Sequence, residues 1–445
     1  MTSSATPDLP GAGVVADGPS AGSIRRRYRL PSTFAGRIAV VLGCAALVRV
    51  VQALTIAPPL TFLYDDTFFK VSSQLLGTGH GYIRPLDFFF KGTTIPTAEH
   101  PPLYPLFLSI LPALGIDGLD AARMFGVAFG TGTVLVVALI ARRVAGDRAG
   151  LWAGGLCAAY PSFIAADGSI FGEPLFGLLV GLAVLQALRL RTRPTLKGSA
   201  ALGVLVGLAA LTRSEGVLLL PLLGIPAVVA VPRQRLMKGA VVVLGTLVVL
   251  APWVARNWHV FGRPTLSTDQ GPTVAGSNCH STYYGPNIGG FNLACSEAIP
   301  LASRHQNEAL WSEALTDRGL DYAARHPARA VLVAVVREAR LWGLYQPTRQ
   351  GHVPGRRVWV QQIGVAVYYA VAVLALVGLV SLRRPKIEKY LLLTPVLVSS
   401  IVGLTAGFDL RVRYEAEVML LVFAGIAVAT RLQVRSLRDP AAPSR

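Results

Sequence analysis

The chain has 445 residues, of which 52% are hydrophobic and only 15% charged, and its formal net charge is +18. This hydrophobicity exceeds that of a soluble globular domain of similar length and indicates an all-α polytopic membrane protein. The charge alone is also typical of nucleic-acid partners, but the basic residues lie in six short clusters between apolar runs. No contiguous basic face with interleaved aromatic residues remains, so nucleic-acid binding is excluded.

The first 35 residues are predicted to form a disordered cytoplasmic tail. Residues 1–23 are rich in Gly, Ser, Pro and Ala, so they cannot bury enough apolar surface to become ordered. An arginine cluster and the apolar run 38–56 follow, an order that superficially resembles a signal peptide. The run is too long and lacks a small-residue cleavage site, so we expect it to be the first span. Residues 433–445 are predicted to be a second cytoplasmic tail.

Residues 36–432 are predicted to form one transmembrane domain of about ten helices. Several of the apolar runs are shorter than the ~20 residues that a straight spanning helix needs. The predicted spans are 38–56, 121–140, 149–165, 174–190, 200–211, 216–231, 240–253, 360–380, 390–406 and 417–430.

The basic clusters predict which side of the membrane each loop occupies. Arginine and lysine are enriched in cytoplasmic loops, which places both termini in the cytoplasm. The segment 103–114 is apolar but short and contains two prolines, and a crossing there would put the later basic clusters outside. We therefore expect 103–114 and the charged stretch 327–345 to be juxtamembrane helices on the outer face. The large extracytoplasmic segments are then 57–120 and 254–357.

Cys279 and Cys295 are the two cysteines outside the apolar runs. In an oxidising compartment such a pair would close a short loop, so we expect a disulfide between them. Metal binding together with His280 is the alternative, although the spacing matches no zinc pattern.

The order of several weak motifs is more informative than any one of them. "YDDTFFK" at 64–70 follows the first predicted span, and "AEHPPLYP" at 98–105 comes later in the same outer segment. "FGEP" at 171–174, "LTRSEG" at 211–216 and "WVARNWHVFGRP" at 253–264 complete the series. From about residue 37 to 430, the chain resembles the GT-C glycosyltransferases of the protein-mannosyltransferase and aminoarabinose-transferase type, family 39 in the broad sense. The resemblance implies a GT-C-type helical bundle.

The resemblance also implies an inverting transfer of a sugar from a polyprenyl-phosphate donor to a hydroxyl group. Asp65 matches the acid of the first outer loop in that family and is the candidate catalytic base, because an alcohol needs a proton acceptor as it attacks. Asp66 stands where the family commonly has a second acid. The alternative is structural: Asp65 caps an interfacial helix, and Asp66 pairs with Lys70 at i, i+4.

Three further residues are candidates for binding the acceptor or a metal. Glu99 and His100 have the side chains for either ligand, although such a pair in a polar loop is also compatible with simple solvation. Glu173 matches a second acid of the family. Its alternative role is that of an acid favoured by the dipole at a helix N-terminus.

Arg213 is the main candidate for binding the donor phosphate, since a guanidinium suits bidentate phosphate contact. The alternative is that Arg213 extends to the membrane interface beside Glu215. Arg256 and Arg413 are weaker candidates for the same role. Aromatic residues near the predicted span ends are expected to form an interfacial belt, namely Tyr82, Tyr104, Trp253 and Trp258.

The predicted function is that of a plasma-membrane hexosyl- or pentosyltransferase, of mannose or arabinose type, acting on the extracytoplasmic face. The expected partners are a polyprenyl-phosphate sugar, a glycan, lipid or protein hydroxyl acceptor, and the bilayer, with no nucleic acid. A divalent cation is the one candidate cofactor, because it would stabilise charge on the leaving phosphate. A flippase for lipid-linked sugars and a noncatalytic scaffold of envelope assembly are the alternative functions.

The predicted membrane topology places residues 191 and 287 on opposite sides of the membrane. Cysteines introduced by Arg191→Cys and Asn287→Cys should react with an impermeant maleimide from the inside and the outside, respectively. Labelling of both cysteines from the same side would contradict the predicted topology and the extracytoplasmic placement of Asp65.

Overall fold

The computed structural model describes residues 33–62, 64–229, 234–296, 306–350, 355–407 and 410–438, together with Thr2, Ile299, Arg304 and Val353. Most of the two predicted tails therefore lies outside the described residues. Within these ranges the regular structure is helical, apart from one isolated antiparallel bridge between Ile83 and Pro96.

The helices follow one another with short connections. The N-terminal part contains α1 (Phe34–Val51), α2 (Asp65–Gly77), α3 (Pro85–Lys91), α4 (Leu103–Ala113), α5 (Leu119–Ala145), α6 (Asp147–Ala158), α7 (Pro161–Asp167), α8 (Glu173–Thr192) and α9 (Leu196–Thr212). The remainder contains α10 (Ile225–Val229), α11 (Arg235–Phe261), α12 (Gln270–Ser277), α13 (His280–Tyr283), α14 (Leu293–Ser296), α15 (Glu308–Arg325), α16 (Pro327–Leu341), α17 (Pro347–Gln350), α18 (Val358–Ser381), α19 (Lys386–Thr405) and α20 (Tyr414–Arg438). Short 3₁₀ helices cover Ser214–Leu218, Gly285–Asn287 and Leu410–Arg413. Short π-helical turns cover Gln52–Ile56 and Leu220–Gly224.

Six described helices are long and apolar enough to cross a membrane, and α6 with α7, bent by 60°, would make a seventh span. These six are Phe34–Ile56, Leu119–Ala145, Glu173–Thr192, Arg235–Phe261, Val358–Ser381 and Lys386–Thr405. The predicted all-α, multi-pass membrane protein is confirmed. The predicted number of ten spans is not, because Leu196–Thr212 and Ser214–Val229 are shorter apolar helices and α20 is not among the six.

The bundle has two chemically different ends. The start of α8 and the end of α9 meet at one end of the bundle, where Arg213 lies 3.2 Å from Glu173. We call this the site end. At the other end Arg143 donates to the carbonyl of Leu188, and Arg384 donates to the carbonyl of Val144. We call this the basic end, because the loops that meet there carry the arginine clusters of the described chain.

Small residues bring helices α9 and α11 into close contact. A Cβ atom on Gly203 would lie 2.2 Å from the carbonyl oxygen of Val242, so no larger residue fits at this position. The hydroxyl of Thr246 donates to the carbonyl of Gly203 at 3.0 Å. Between apolar helices in a membrane, such contacts replace the hydrophobic driving force, which lipid removes.

A buried ion pair joins three helices just inside the site end. Nε of Arg49 lies 2.7 Å from Oδ2 of Asp167, and both side chains are 0% exposed. The hydroxyl of Tyr414 donates to Oδ1 of Asp167 at 3.1 Å. A Cβ on Gly130 would lie 2.0 Å from Oδ2 of Asp167, so the glycine in α5 provides the space for the carboxylate. This pair fixes the ends of α1 and α7 against the start of α20.

Removing Arg49 should destabilise the protein strongly, because Asp167 would remain buried without its partner. We expect Arg49→Met to cost about 3–5 kcal/mol of unfolding free energy, seen as a large drop in Tm of the detergent-purified protein. The double variant Arg49→Met/Asp167→Leu should recover much of that loss. Arg325→Met, which breaks an exposed pair with Asp321, is the control. An equal Tm for Arg49→Met and the control would refute the structural role of the pair.

Candidate active site

Asp65 is the first residue of α2 and lies at the site end. The N-cap residue of α2 is Tyr64, so Asp65 does not cap this helix. Nη2 of Arg411 lies 2.8 Å from Oδ2 of Asp65, and Nε2 of His100 lies 3.9 Å from Oδ1. Burial raises the pKa of Asp65, but Arg411 and His100 lower this pKa by more than burial raises it, so the pKa is about 2. The carboxylate is therefore ionised, and it is one-third exposed, which leaves it accessible to a ligand.

Asp66 has a different environment. Its side chain is buried and accepts hydrogen bonds from the backbone N–H groups of Thr61, at 2.8 Å, and Thr67, at 2.9 Å. The alternative prediction of an Asp66–Lys70 pair is wrong, since Lys70 instead lies 2.6 Å from Asp117. Asp66 thus shapes the loop that presents Asp65. A catalytic role for Asp66 stays a prediction.

Glu173 begins α8 and is buried among three guanidinium groups. Arg213 and Arg411 both donate to its Oε1 atom, at 3.2 and 2.5 Å. Nη2 of Arg356 lies 3.9 Å from Oε2. We call Arg213, Arg356 and Arg411 the arginine cluster; they come from the end of α9, the segment before α18 and the turn before α20.

Arg356 is the least satisfied member of the arginine cluster. Its side chain is only 8% exposed, and its Nε and Nη2 atoms are buried without a hydrogen-bond partner among the described residues. Within the same part of the chain, Oε2 of Glu173 also lacks a hydrogen bond. The guanidinium lies 5.7 Å from the ring centroid of Phe171, which is 4.3 Å from the guanidinium of Arg411. Because buried polar groups are normally hydrogen-bonded, unused donors in this cluster indicate a site for an anionic ligand.

The predicted residues Glu99 and His100 lie on the other side of Asp65. The His100 ring packs against Phe68 and Phe69, with centroid distances of 4.8 and 5.0 Å. Glu99 forms an ion pair with Arg304. Only His100 of the two therefore has its side chain beside the catalytic candidate.

Asp269 is a site residue that the sequence reasoning missed. Its backbone N–H donates to the carbonyl of Glu99 at 3.3 Å, and Thr273 contacts its carboxylate at 3.5 Å. Burial raises the pKa of Asp269; His100 lowers it, while Asp65 and Glu99 raise it further, to about 7. Asp65 and Asp269 therefore differ in protonation: Asp65 is ionised, whereas Asp269 is able to hold a proton near neutral pH.

The structure does not bring Arg256 or Arg413 to Asp65. Arg256 donates to the backbone carbonyls of Thr97 at 2.7 Å and Tyr82 at 3.0 Å, so it fixes the first outer segment. The guanidinium of Arg413 is buried, donates to Glu417 at 2.6 Å, and stacks on a tyrosine ring. These contacts use donors that a phosphate would need.

Beside Arg213, the structure places Arg411 and Arg356 around Glu173, and the sequence analysis named neither of these two. In "LRVRYE" at 410–415, Arg411 and Arg413 are equivalent on sequence grounds, and only the tight turn Leu410–Arg413 directs Arg411 towards Asp65. Arg356 precedes a predicted span and resembles an ordinary flanking arginine. No signal in the sequence could have distinguished it.

The predicted aromatic belt is wrong for three of its four members. Tyr82 and Trp253 are buried and pack on each other at 5.2 Å, and Tyr104 is buried against Phe69 at 5.2 Å. They support the site from inside because the first outer segment folds over the bundle. Trp258 remains 64% exposed.

Cys279 and Cys295 are joined by a disulfide, with a Cα–Cα distance of 6.4 Å. It links the segment before α13 to α14, in the large loop between α11 and α18. The other cysteines, Cys44 and Cys157, are free.

The described residues do not fit a divalent cation at Glu173. Three guanidiniums surround this carboxylate, and they would repel a cation. No described group of three or more His, Cys, Asp or Glu residues is arranged to hold a metal ion. A cation bound with Glu99 or His100 stays a prediction, and no step below depends on it.

Comparisons with known proteins support the resemblance drawn from the motifs. The family model described as dolichyl-phosphate-mannose-protein mannosyltransferase matches residues 99–258. The comparison with curated proteins gives no significant match.

Structures of an archaeal oligosaccharyltransferase share the fold at low sequence identity. The oligosaccharyltransferase of Archaeoglobus fulgidus in its apo form is 15% identical, with a TM-score of 0.51 over 92% of this chain and 52% of that chain. The same enzyme tethered to an acceptor peptide gives 14% identity and a TM-score of 0.51 over 91% of this chain and 51% of that chain. ArnT from Cupriavidus metallidurans bound to undecaprenyl phosphate is 14% identical, with a TM-score of 0.43 over 90% and 78%. The chain spans about half the length of the archaeal enzyme, and the predicted GT-C-type fold is confirmed.

The raised pKa of Asp269 predicts a pH-dependent stability. Between about pH 4 and 7 the folded protein holds a proton on Asp269 that the unfolded chain has lost, so this group lowers stability as pH rises through that range. Asp269→Asn should therefore raise the Tm in detergent more at pH 8 than at pH 4.5. Asp321→Asn, at a carboxylate with 69% exposure, is the control. The same Tm change at both pH values would show that Asp269 is not protonated in the folded state.

Proposed function

We propose that this protein is a membrane glycosyltransferase that transfers a sugar from a polyprenyl-phosphate donor to a hydroxyl acceptor on the extracytoplasmic face. The observation that carries the proposal is the position of an ionised, partly exposed Asp65 beside the arginine cluster, in which Arg356 has unused donors. The match to a family of dolichyl-phosphate-mannose enzymes and the GT-C-type fold support the same donor class.

The arginine cluster would bind the donor phosphate. Arg356 offers two nitrogen atoms, Nε and Nη2, whose N–H groups have no partner among the described residues, and Arg411 is close to both carboxylates. A phosphate between them would accept charge-assisted hydrogen bonds that Glu173 alone does not satisfy. Glu173 then holds the guanidiniums in place and limits their mutual repulsion before the donor arrives.

Asp65 would be the base. The acceptor oxygen attacks the anomeric carbon, its proton passes to the carboxylate, and the bond from that carbon to the phosphate oxygen breaks with both electrons leaving on the phosphate. Attack from the face opposite the phosphate inverts the anomeric configuration. The guanidiniums stabilise the charge that grows on the leaving oxygen.

Donor binding would also activate the base. In the free protein Arg411 lies 2.8 Å from Asp65, and a carboxylate with a pKa of about 2 is a weak proton acceptor. A bound phosphate competes for Arg411, which raises the pKa of Asp65 towards its ordinary value. The proton acceptor thus becomes effective when the donor is in place.

The orientation follows from the two ends of the bundle. The basic end carries the arginine clusters that the positive-inside bias assigns to the cytoplasm. The site end then faces the extracytoplasmic side, and both termini lie in the cytoplasm. The transferred sugar is proposed to be of mannose or arabinose type, with a glycan, lipid or protein as the acceptor.

Two substitutions separate the roles of base and phosphate site. Asp65→Asn keeps the size of the side chain but cannot take the proton, so transfer should fall by about 10²-fold or more while donor binding survives. Arg356→Gln should weaken donor binding instead, because a charge-assisted phosphate contact is lost. Polyprenyl-phospho-mannose and polyprenyl-phospho-arabinose, offered with host membranes as acceptor, test both.

Arg325→Gln, at an exposed arginine, is the matched control for the loss of one positive charge. Near-wild-type transfer by Asp65→Asn would remove the assigned base, and inactivity of Asp66→Asn instead would assign the role to the neighbouring acid. Donor binding without transfer by the wild-type protein would favour a lipid-linked-sugar transporter. Mass spectrometry of envelope glycans from a deletion strain would identify the sugar.

A further inference from the structure

A cavity lies at the basic end, far from Asp65. Its volume is about 600 Å³, and it is lined by Arg143, Gln186, Arg189, Thr192, Arg193 and Thr195. Helix α8 connects the two regions, since Glu173 begins it and Arg189 lies sixteen residues further, or about 24 Å along the axis. The cavity is therefore separate from the proposed active site.

The charge of this cavity is one-sided. Three of its six lining residues are arginines, and none of the described lining residues is acidic. Arg189, in the last turn of α8, and Arg193, the C-cap residue of that helix, both repel the positive charge of Arg143. An anion in the cavity would remove this repulsion.

One arginine of the cavity is held in a fixed position. Nη2 of Arg143 donates to the carbonyl of Leu188 and to the hydroxyl of Thr192, both at 2.8 Å. These contacts leave the other N–H groups of the guanidinium for a ligand. Arg189 and Arg193 are exposed at the mouth of the cavity.

The positive-inside bias explains why arginines occur at this end of the bundle, but it does not require three of them to line one cavity with two threonines. Guanidinium groups bind phosphate oxygens through charge-assisted hydrogen bonds, and the hydroxyl of Thr195 can add a further donor, whereas Thr192 already donates to the carbonyl of Arg189. The cavity lies where spanning helices α5 and α8 end, which is the level of lipid headgroups in a bilayer.

We propose that this cavity binds a phosphate group, supplied by the headgroup of an anionic phospholipid of the cytoplasmic leaflet. The lipid phosphate would link the end of α5 to the end of α8 by contacting Arg143, Arg189 and Arg193. Binding to the folded state alone raises stability in proportion to the logarithm of ligand concentration. The site is independent of the proposed transferase activity.

The test uses the full chain purified in a neutral detergent. Thermal unfolding is followed with added phosphatidylglycerol, cardiolipin, phosphatidylcholine or inorganic phosphate, and native mass spectrometry counts retained lipids. The variant is Arg189→Gln/Arg193→Gln, and the control is Arg235→Gln, an exposed arginine at the same end that does not line the cavity. Both substituted sites are exposed, so folding should be unaffected.

Anionic lipid should raise the Tm of the wild-type protein and the control, and about tenfold more lipid should be needed for the same rise in the double variant. Phosphatidylcholine should have little effect on any of them. A response to inorganic phosphate that the variant loses would support the phosphate site and assign it to a soluble ligand. Equal responses of variant and control to every phosphate source, or no response, would overturn the proposal.

Discussion

The buried carboxylate of Glu173 is the constraint on which the site end depends. A buried charge is strongly unfavourable unless it is paired, and here the pairing comes from three arginines on separate segments of the chain. Arg213 follows α9, Arg356 precedes α18, and Arg411 precedes α20. A single carboxylate thus holds together three parts of the chain that are up to about 200 residues apart in sequence. Arg411 of this cluster also lies 2.8 Å from Asp65, so the requirement to neutralise Glu173 places the phosphate site that we propose beside the candidate base.

The two ends of the bundle divide the chemistry of the protein. Acids and arginines pair closely at the site end, where Nε and Nη2 of Arg356 and Oε2 of Glu173 are buried without a hydrogen bond to the described residues. At the basic end three arginines line a cavity, and none of its described lining residues is acidic. The first arrangement is suited to a reaction in which a proton and a phosphate charge both move. The second is suited to holding an anion at rest.

Sequence reasoning identified more of the fold than of the site. The hydropathy pattern predicted a helical multi-pass protein, and motif order predicted its GT-C-type bundle; both are confirmed. It placed Asp65, Glu173 and Arg213 among the candidates, and these three lie in one connected network. It selected Arg413 instead of Arg411, two residues earlier, because side-chain direction in a tight turn is not encoded in composition. It missed Asp269, whose significance depends on His100 and Asp65, which are distant in sequence.

What the sequence alone determined are the properties that local composition controls: apolar helices, loops that carry arginine, and acids that follow or precede spans. These depend on burial of apolar side chains and on the cost of placing charge in lipid, which are decided residue by residue. Only the tertiary structure decided which charges meet. Arg356 and Glu173 are separated by 183 positions, and only the packing of the bundle brings them to 3.9 Å. An ion pair requires two particular atoms within a few ångströms, and that distance is a property of the packed bundle.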